Sequence, residues 1–236
     1  WSCESDKKSE SIPVSDFSLY YPIADANYWD PSWSDSSKVT VQILADPDNL
    51  HPTNGSSQIR DEVLQYLHRS LIKTDLEKGG MIADILESMP SLSDDKSALT
   101  FKLKNGVCWD NGSQVLANDV IFTIKASLCE LTNNVSNKFF FENIKDVKIN
   151  DVEKLSFTIY FKSPSEYNLP MWCDYPILQE SKYDFNNTLN EFSFKQFNDS
   201  TFNQANNPKL KAWAMIFNSD EMVKSPNLIA GLGPYQ

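Results

Sequence analysis

Between Leu99 and Leu128 a strand, a tight turn and a helix follow one another, and the tryptophan between them constrains how the chain folds. Leu99, Phe101 and Leu103 alternate with Thr100, Lys102 and Lys104, the period of a strand with one buried face. Asn105-Gly106 marks a turn. Trp109 then precedes Asp110-Asn111-Gly112, a second turn whose Asn-Gly pair tolerates left-handed backbone. A helix is predicted from about Asn118 to Leu128, burying Val120, Ile121, Ile124 and Leu128. Leu116 stands at the cap position without an acceptor, a loss of about 0.5–2 kcal/mol unless Asn118 caps instead. The indole is expected to plug the space where the strand ends and the helix starts.

Upstream, Val39, Val41 and Ile43 alternate with Thr40 and Gln42, which predicts a strand over 39–44. Pro47 and Pro52 end it among the turn formers Asp46, Asp48 and Asn49. These three lack the alternating ligands and glycine of a calcium loop. Ile59, Val63, Leu67 and Leu71, with Leu64 beside them, predict the next helix. Ser56 or Ser57 would cap it, Asp61 and Glu62 sit in its first turn, and His68, Arg69 and Lys73 lie near its end. Gly79-Gly80 punctuates, and 82–89 is a short apolar segment. Val147 and Ile149, a turn over 150–154, and Leu155, Phe157, Ile159 and Phe161 make a hairpin. Periodicity is weak from 163 to 226, where only short helices are expected, and 9–37 reads as an extended arm. Strands and helices interleaved in this way give an α/β protein with a mixed sheet.

Composition supplies exclusions. The 236 residues carry 32 acidic against 21 basic side chains, a net charge of −11, which argues against binding a nucleic-acid backbone. Two histidines and four scattered cysteines offer little for a zinc site, and seven glycines argue against a phosphate-cradling loop. No apolar run is long enough to cross a bilayer. Cys108, Cys129 and Cys173 have spacings of no metal or redox motif and form at most one disulfide. The patterns Gly-x-Ser-x-Gly, His-Glu-x-x-His and Cys-Gly-x-Cys-Trp are absent, so no catalytic residue is assigned. A paired-carboxylate hydrolase needs no local spacing and stays open as a lesser reading. His51 and His68 are expected at the surface or at a helix end, not as chelators.

Taken in order, several of these segments resemble the extracellular solute-binding proteins of family 5, the oligopeptide- and dipeptide-binding components of ABC importers. They are the 39–44 strand, Asp48-Asn49-Leu50-His51-Pro52, the 59–75 helix region, and Ile82-Ala83-Asp84-Ile85-Leu86-Glu87-Ser88. Phe101-Lys102-Leu103 with Val107, Trp109, Gly112, Val115, Ala117, Asp119, Val120 and Phe122 carries the resemblance most strongly, and Gly231-Leu232-Gly233-Pro234-Tyr235 closes it. Asn111 replaces the family's turn aspartate, and Asp110 its serine or threonine. At the front, Trp1-Ser2-Cys3 and the polar run after it resemble the processing site and tether of a bacterial lipoprotein.

The resemblance implies a periplasmic-binding-protein type II-like α/β fold, a mixed-sheet lobe with an inserted α/β subdomain. Members of the family are longer, so the second lobe is expected to be mostly missing and the chain to be an N-terminal fragment. It implies a tether and arm over 1–37, a first part of lobe I over 38–85, the inserted subdomain over 86–200 and a truncated return to lobe I over 201–236. It further implies capture of short peptides in an interlobe cleft and delivery to an ABC permease with its ATPase subunits, without catalysis, cofactor, metal or nucleic acid. Asn54, Gly55 and Ser56, in the loop that lines the family's cleft, and Phe140, on a side-chain pocket wall, are the expected ligand contacts. Cys3 is the expected lipid anchor. The protein would be a monomer in the periplasm or cell envelope. Nickel chelates and oligosaccharides are the other solutes the family implies.

Overall fold

The computed structural model describes residues 42–55, 57–225 and 229–233. The arm over 9–37, Cys3, Ser56 and part of the 39–44 strand lie outside them. The described part of that strand, 42–44, is irregular, and Leu44 is 92 % exposed, so no strand forms there.

Helix α1, Gln58–Leu67, starts where predicted: Ser57 Oγ accepts the Arg60 N–H at 3.4 Å. It stops earlier than the leucine spacing suggests. The N–H groups of Leu232 and Gly233 take the Leu67 carbonyl at 2.8 and 2.7 Å, and His68 is extended. Arg69 therefore lies beyond the helix, where its guanidinium pairs with Asp84 at 2.7 Å. Leu71 and Ile72 are fully buried at the start of strand β1, Ile72–Thr74, which pairs with β2, Met81–Ala83. The helix also turns Arg60 and Leu64 inward, while Ile59, Val63 and Leu67 are only half-buried.

Four antiparallel strands make the main sheet, in the order β3 (Ser91–Leu92), β4 (Ala98–Lys102), β6 (Ser156–Phe161), β5 (Ile144–Ile149). The 150–154 turn is as predicted, with Lys154 at φ 59° and the Asp151 carboxylate accepting the N–H groups of Leu155 and Ser156, both at 2.9 Å. Phe101 faces Phe157 across the β4–β6 pair, and their rings stack at 5.1 Å. Trp172 meets Phe101 edge-on at 5.7 Å and Phe141 at 5.3 Å, all three fully buried. Each such ring contributes roughly 1.5–3 kcal/mol through burial. The named strands pair antiparallel, and a parallel bridge joins Ile72 to Cys173.

Helix α2, Ala117–Leu128, is buried along most of its length, and α3, Val135–Phe141, follows it. Lys125 reaches the Leu189 carbonyl at 3.0 Å and lies over the Phe194 ring, and burial pulls its amine below the usual lysine range. Short helices α4 (Glu180–Tyr183) and α5 (Phe194–Phe197) agree with the expectation for the last third. Helix α6, Pro208–Phe217, is longer than expected, and α7, Asp220–Lys224, ends the helical region. Its local signals are clear: Asn207 accepts the N–H groups of Lys209 and Leu210, and Pro208 occupies the first helical position.

Candidate functional site

The predicted contact loop is built on a histidine. Asn49 Oδ1 accepts the His51 N–H at 2.9 Å, and His51 Nδ1 in turn accepts the N–H groups of Thr53 (3.2 Å) and Asn54 (3.0 Å). The ring is fully buried, edge-on to Phe217 at 4.6 Å. Burial, then the Arg60 charge and then His68, hold its pKa down to about 3, which keeps Nδ1 free to accept. This corrects the surface reading of His51. His68 does stand at the end of α1, but it too is buried, with its pKa lowered to about 4 by desolvation.

Asn54 is 3 % exposed, and its Nδ2 donates to Asn218 Oδ1 at 2.9 Å. The same oxygen accepts the Asn133 N–H at 3.0 Å, and Asn218 Nδ2 donates to the Leu131 carbonyl at 2.7 Å. Asn218, the C-cap of α6, thus ties the Asn54 loop to the segment that leads into α3. Gly55 is exposed at φ 124°, backbone that L side chains rarely adopt. A Cβ there would lie 2.4 Å from Arg60 Nη1 and 2.7 Å from Asn49 Nδ2. Phe140 is half exposed on α3, its ring against Phe139 at 6.2 Å, while Phe141 is core. The structure therefore gathers Asn54 and Gly55 with Arg60 and Asn218. Phe140 lies farther along the segment that Asn218 secures.

Arg60 and Asn218 had no sequence signal as part of this loop. An arginine on an amphipathic helix reads as solvated, and Asn218 meets Asn54 across 164 residues of chain.

The tryptophan motif frames the region. Trp109 is buried, the Gly112 N–H donates to the Trp109 carbonyl at 2.9 Å, and Gly112 has φ 80°. The indole Nε1–H donates to Asp119, whose carboxylate also accepts the N–H groups of Leu116 (3.0 Å) and Glu180 (2.8 Å). Asp119, not Asn118, satisfies the α2 entry, and the Asn118 side-chain oxygen is buried without a partner. Burial raises the Asp119 pKa to about 6 against the pull of its three donors. Asp110 Oδ2 accepts the Gly231 N–H at 2.9 Å, while the Asp110 N–H donates to the Gly231 carbonyl at 3.0 Å. Trp109 and the glycine segment are thus structural, as expected of Trp109.

A cavity of about 270 Å³ is lined by Tyr183, Phe185, Trp213 and Ile216 and contains none of the predicted contacts, although Tyr183 also packs on the His51 ring. Its charged residues are committed, Glu191 to Lys209 and Asp184 to the Thr188 and Leu189 N–H groups. Cys108, Cys129 and Cys173 are free thiols.

The family model for bacterial extracellular solute-binding proteins, family 5 Middle, matches residues 80–236. Protein XP55 from Streptomyces lividans is 31 % identical over 106 residues, 43 % of this chain and 18 % of that protein. The oligopeptide-binding protein AppA from Bacillus subtilis, solved in complex with a nonapeptide, matches 81 % of this chain and 32 % of its own at TM-score 0.58 and 20 % identity. The substrate-binding domain of an oligopeptide ABC transporter from Bacillus anthracis str. Ames matches 59 % of this chain and 29 % of its own at TM-score 0.51 and 21 % identity. The fold is the mixed α/β arrangement of type II substrate-binding lobes, of which this chain spans a third or less of each solved relative.

Proposed function

Since this chain belongs to the bacterial extracellular solute-binding proteins of family 5, we propose that it captures short peptides and passes them to a membrane permease driven by a separate ATPase. Asn54, Gly55 and Ser56 contact the peptide backbone, and Phe140 lines a side-chain pocket. The extended ligand pairs with loop backbone much as an added strand pairs with a sheet edge, and the lobes of the whole protein close over it by hinge motion. Residues 38–85 and 201–236 contribute to one lobe and 86–200 to the inserted subdomain. Cys3 carries the lipid that holds the protein at the cell envelope, where it acts as a monomer.

The observation that carries this reading is Gly55. Its backbone is exposed and free of a side chain, on a loop whose neighbour Asn54 is anchored from beneath. Saturation-transfer NMR with a pool of tripeptides, which registers weak binding, tests it. Transfer to the peptides is expected, and should be lost in Gly55→Val. A folded protein that gives no transfer, or transfer unchanged in Gly55→Val, overturns it. Mass spectrometry of the native N-terminus tests the anchor, and a free thiol at Cys3 would remove it.

A further inference from the structure

Side chains that hold a turn by accepting the N–H groups of the next few residues are ordinarily Asp, Asn, Ser or Thr. In the Asn54 loop a histidine takes that place. His51 Nδ1 accepts the Thr53 N–H at 3.2 Å and the Asn54 N–H at 3.0 Å, and the Thr53 hydroxyl lies 3.5 Å from the same nitrogen. The His51 N–H is itself taken by Asn49 Oδ1 at 2.9 Å. Two amides converge on the Nδ1 lone pair, so the ring is neutral and its proton sits on Nε2. An asparagine oxygen would accept at every pH, whereas an imidazole nitrogen stops accepting once the ring gains a second proton.

The surroundings of the ring oppose that proton. Phe217 of α6 meets the fully buried ring edge-on at 4.6 Å, and Tyr183 of α4 lies at 5.9 Å. Tyr183 stays a neutral phenol, its pKa raised by burial. From α1 come Arg60, 5 % exposed, and the buried His68 at the helix end. Asp61 pairs with Arg60 at 2.7 Å from an exposed position, and Asp110 favours charge on His68. On His51 itself burial, Arg60 and His68 disfavour charge, and the Phe217 backbone acts the other way. Arg60 Nη1 lies under Gly55, where a Cβ would come within 2.4 Å of it. Charging His51 would therefore place a second cation near Arg60 beneath the loop. It would also turn Nδ1 from an acceptor into a donor facing two N–H groups.

We propose that His51 is a positioning residue for peptide capture: its neutral imidazole holds the Asn54-Gly55 loop closed through the Thr53 and Asn54 N–H groups, and uptake of one proton at Nδ1 releases the loop. This rests on the reading of Asn54 and Gly55 as a peptide contact. Opening returns the ring to water and to an ordinary pKa of about 6.5, against about 3 when closed. The closed loop binds fewer protons than the open one. Its advantage is thus fully present above about pH 6.5 and falls about tenfold per pH unit below that.

The test is amide hydrogen exchange of the full chain from about pH 6.5 to about 4.5, corrected for intrinsic exchange chemistry. Protection of the Thr53 and Asn54 amides should fall about tenfold per pH unit. Both should be less protected than the Phe157 amide in the central strand β6, which marks a local opening. His51→Asn places an acceptor oxygen where Nδ1 stood, so the loop amides should stay protected with no pH slope. His51→Phe keeps a ring without an acceptor, so protection should be low at every pH and again without slope. Imidazole nitrogen NMR of the wild type at neutral pH should find the proton on Nε2.

Saturating trialanine should raise protection of both amides, because it binds the closed loop. A flat profile in the wild type, a slope that persists in His51→Asn, or a proton on Nδ1 overturns this inference. Peptide-induced protection would then leave the peptide reading intact. Loop amides that exchange no faster than Phe157 also overturn it, since release would then be unfolding of the whole chain. A slope confined to wild type with no effect of trialanine overturns the peptide reading, and with it the role of His51 in capture.

Discussion

The indole Nε1–H of Trp109 donates to Asp119 Oδ2 at 3.2 Å, and both side chains are buried. This bond joins the turn after the sheet to the first turn of α2, and the other Asp119 oxygen holds the start of α4 through the Glu180 N–H. One carboxylate thus sets the mutual position of three segments.

Trp109→Phe keeps most of the aromatic volume and removes the donor. The buried carboxylate then loses one of its three stabilising bonds, so the variant should lose about 1–3 kcal/mol in urea denaturation. The Asp119 pKa should rise further above about 6, as followed by carboxyl NMR. A pKa that stays or falls would contradict the bond.

Acid stability follows from three buried groups with opposing signs. His51 and His68, held at about 3 and about 4 against an ordinary 6.5, bind fewer protons when folded, so their contribution is lost as pH falls below about 6.5. Asp119, raised from 3.8 to about 6, binds more protons when folded and stabilises as pH falls through that window. Wild type should therefore lose stability between pH 6.5 and 4 less steeply than Asp119→Asn. Parallel pH profiles for the two proteins would show that Asp119 does not titrate as stated.

The two closing glycines should respond differently. A Cβ at Gly233 would lie 2.1 Å from the Tyr66 carbonyl oxygen, whereas at Gly231 its nearest neighbour is 3.4 Å away. Gly233→Ala should push the segment off the end of α1 and lower stability by about 1–3 kcal/mol or more. Gly231→Ala should cost clearly less. Equal melting temperatures for the two variants would show that the contact with α1 is not tight.

Asn218→Ala removes the clamp common to two loops. The Asn133 amide loses its acceptor and Asn54 Nδ2 its partner, so hydrogen exchange at Asn133 should accelerate and stability should drop by about 1–3 kcal/mol. Unchanged exchange at Asn133 would show the clamp to be unimportant.

The legibility of these features depended on distance along the chain and on hydropathy. Trp109 and Asp119 lie ten residues apart, joined by a turn and a helix start that local patterns reveal. The β5–β6 hairpin was legible for the same reason, since alternation and a turn define it locally. The end of α1 was not, because Leu71 continues the helical spacing but is buried just before β1, and the groups that end the helix come from Leu232 and Gly233. The Asn54 clamp was invisible because its partner is 164 residues away. Arg60 carries no local signal because sequence patterns place charge outside, and here an unpaired guanidinium nitrogen lies buried beneath a glycine.

Peptide capture at the Asn54 loop is tested by amide chemical-shift mapping of the full chain during titration with trialanine. The largest shifts should fall at Asn54 and Gly55, with smaller ones at Asn133 through the shared Asn218. Shifts centred instead on the cavity lined by Tyr183 and Trp213, or no shifts at saturating peptide, would contradict peptide capture at this loop.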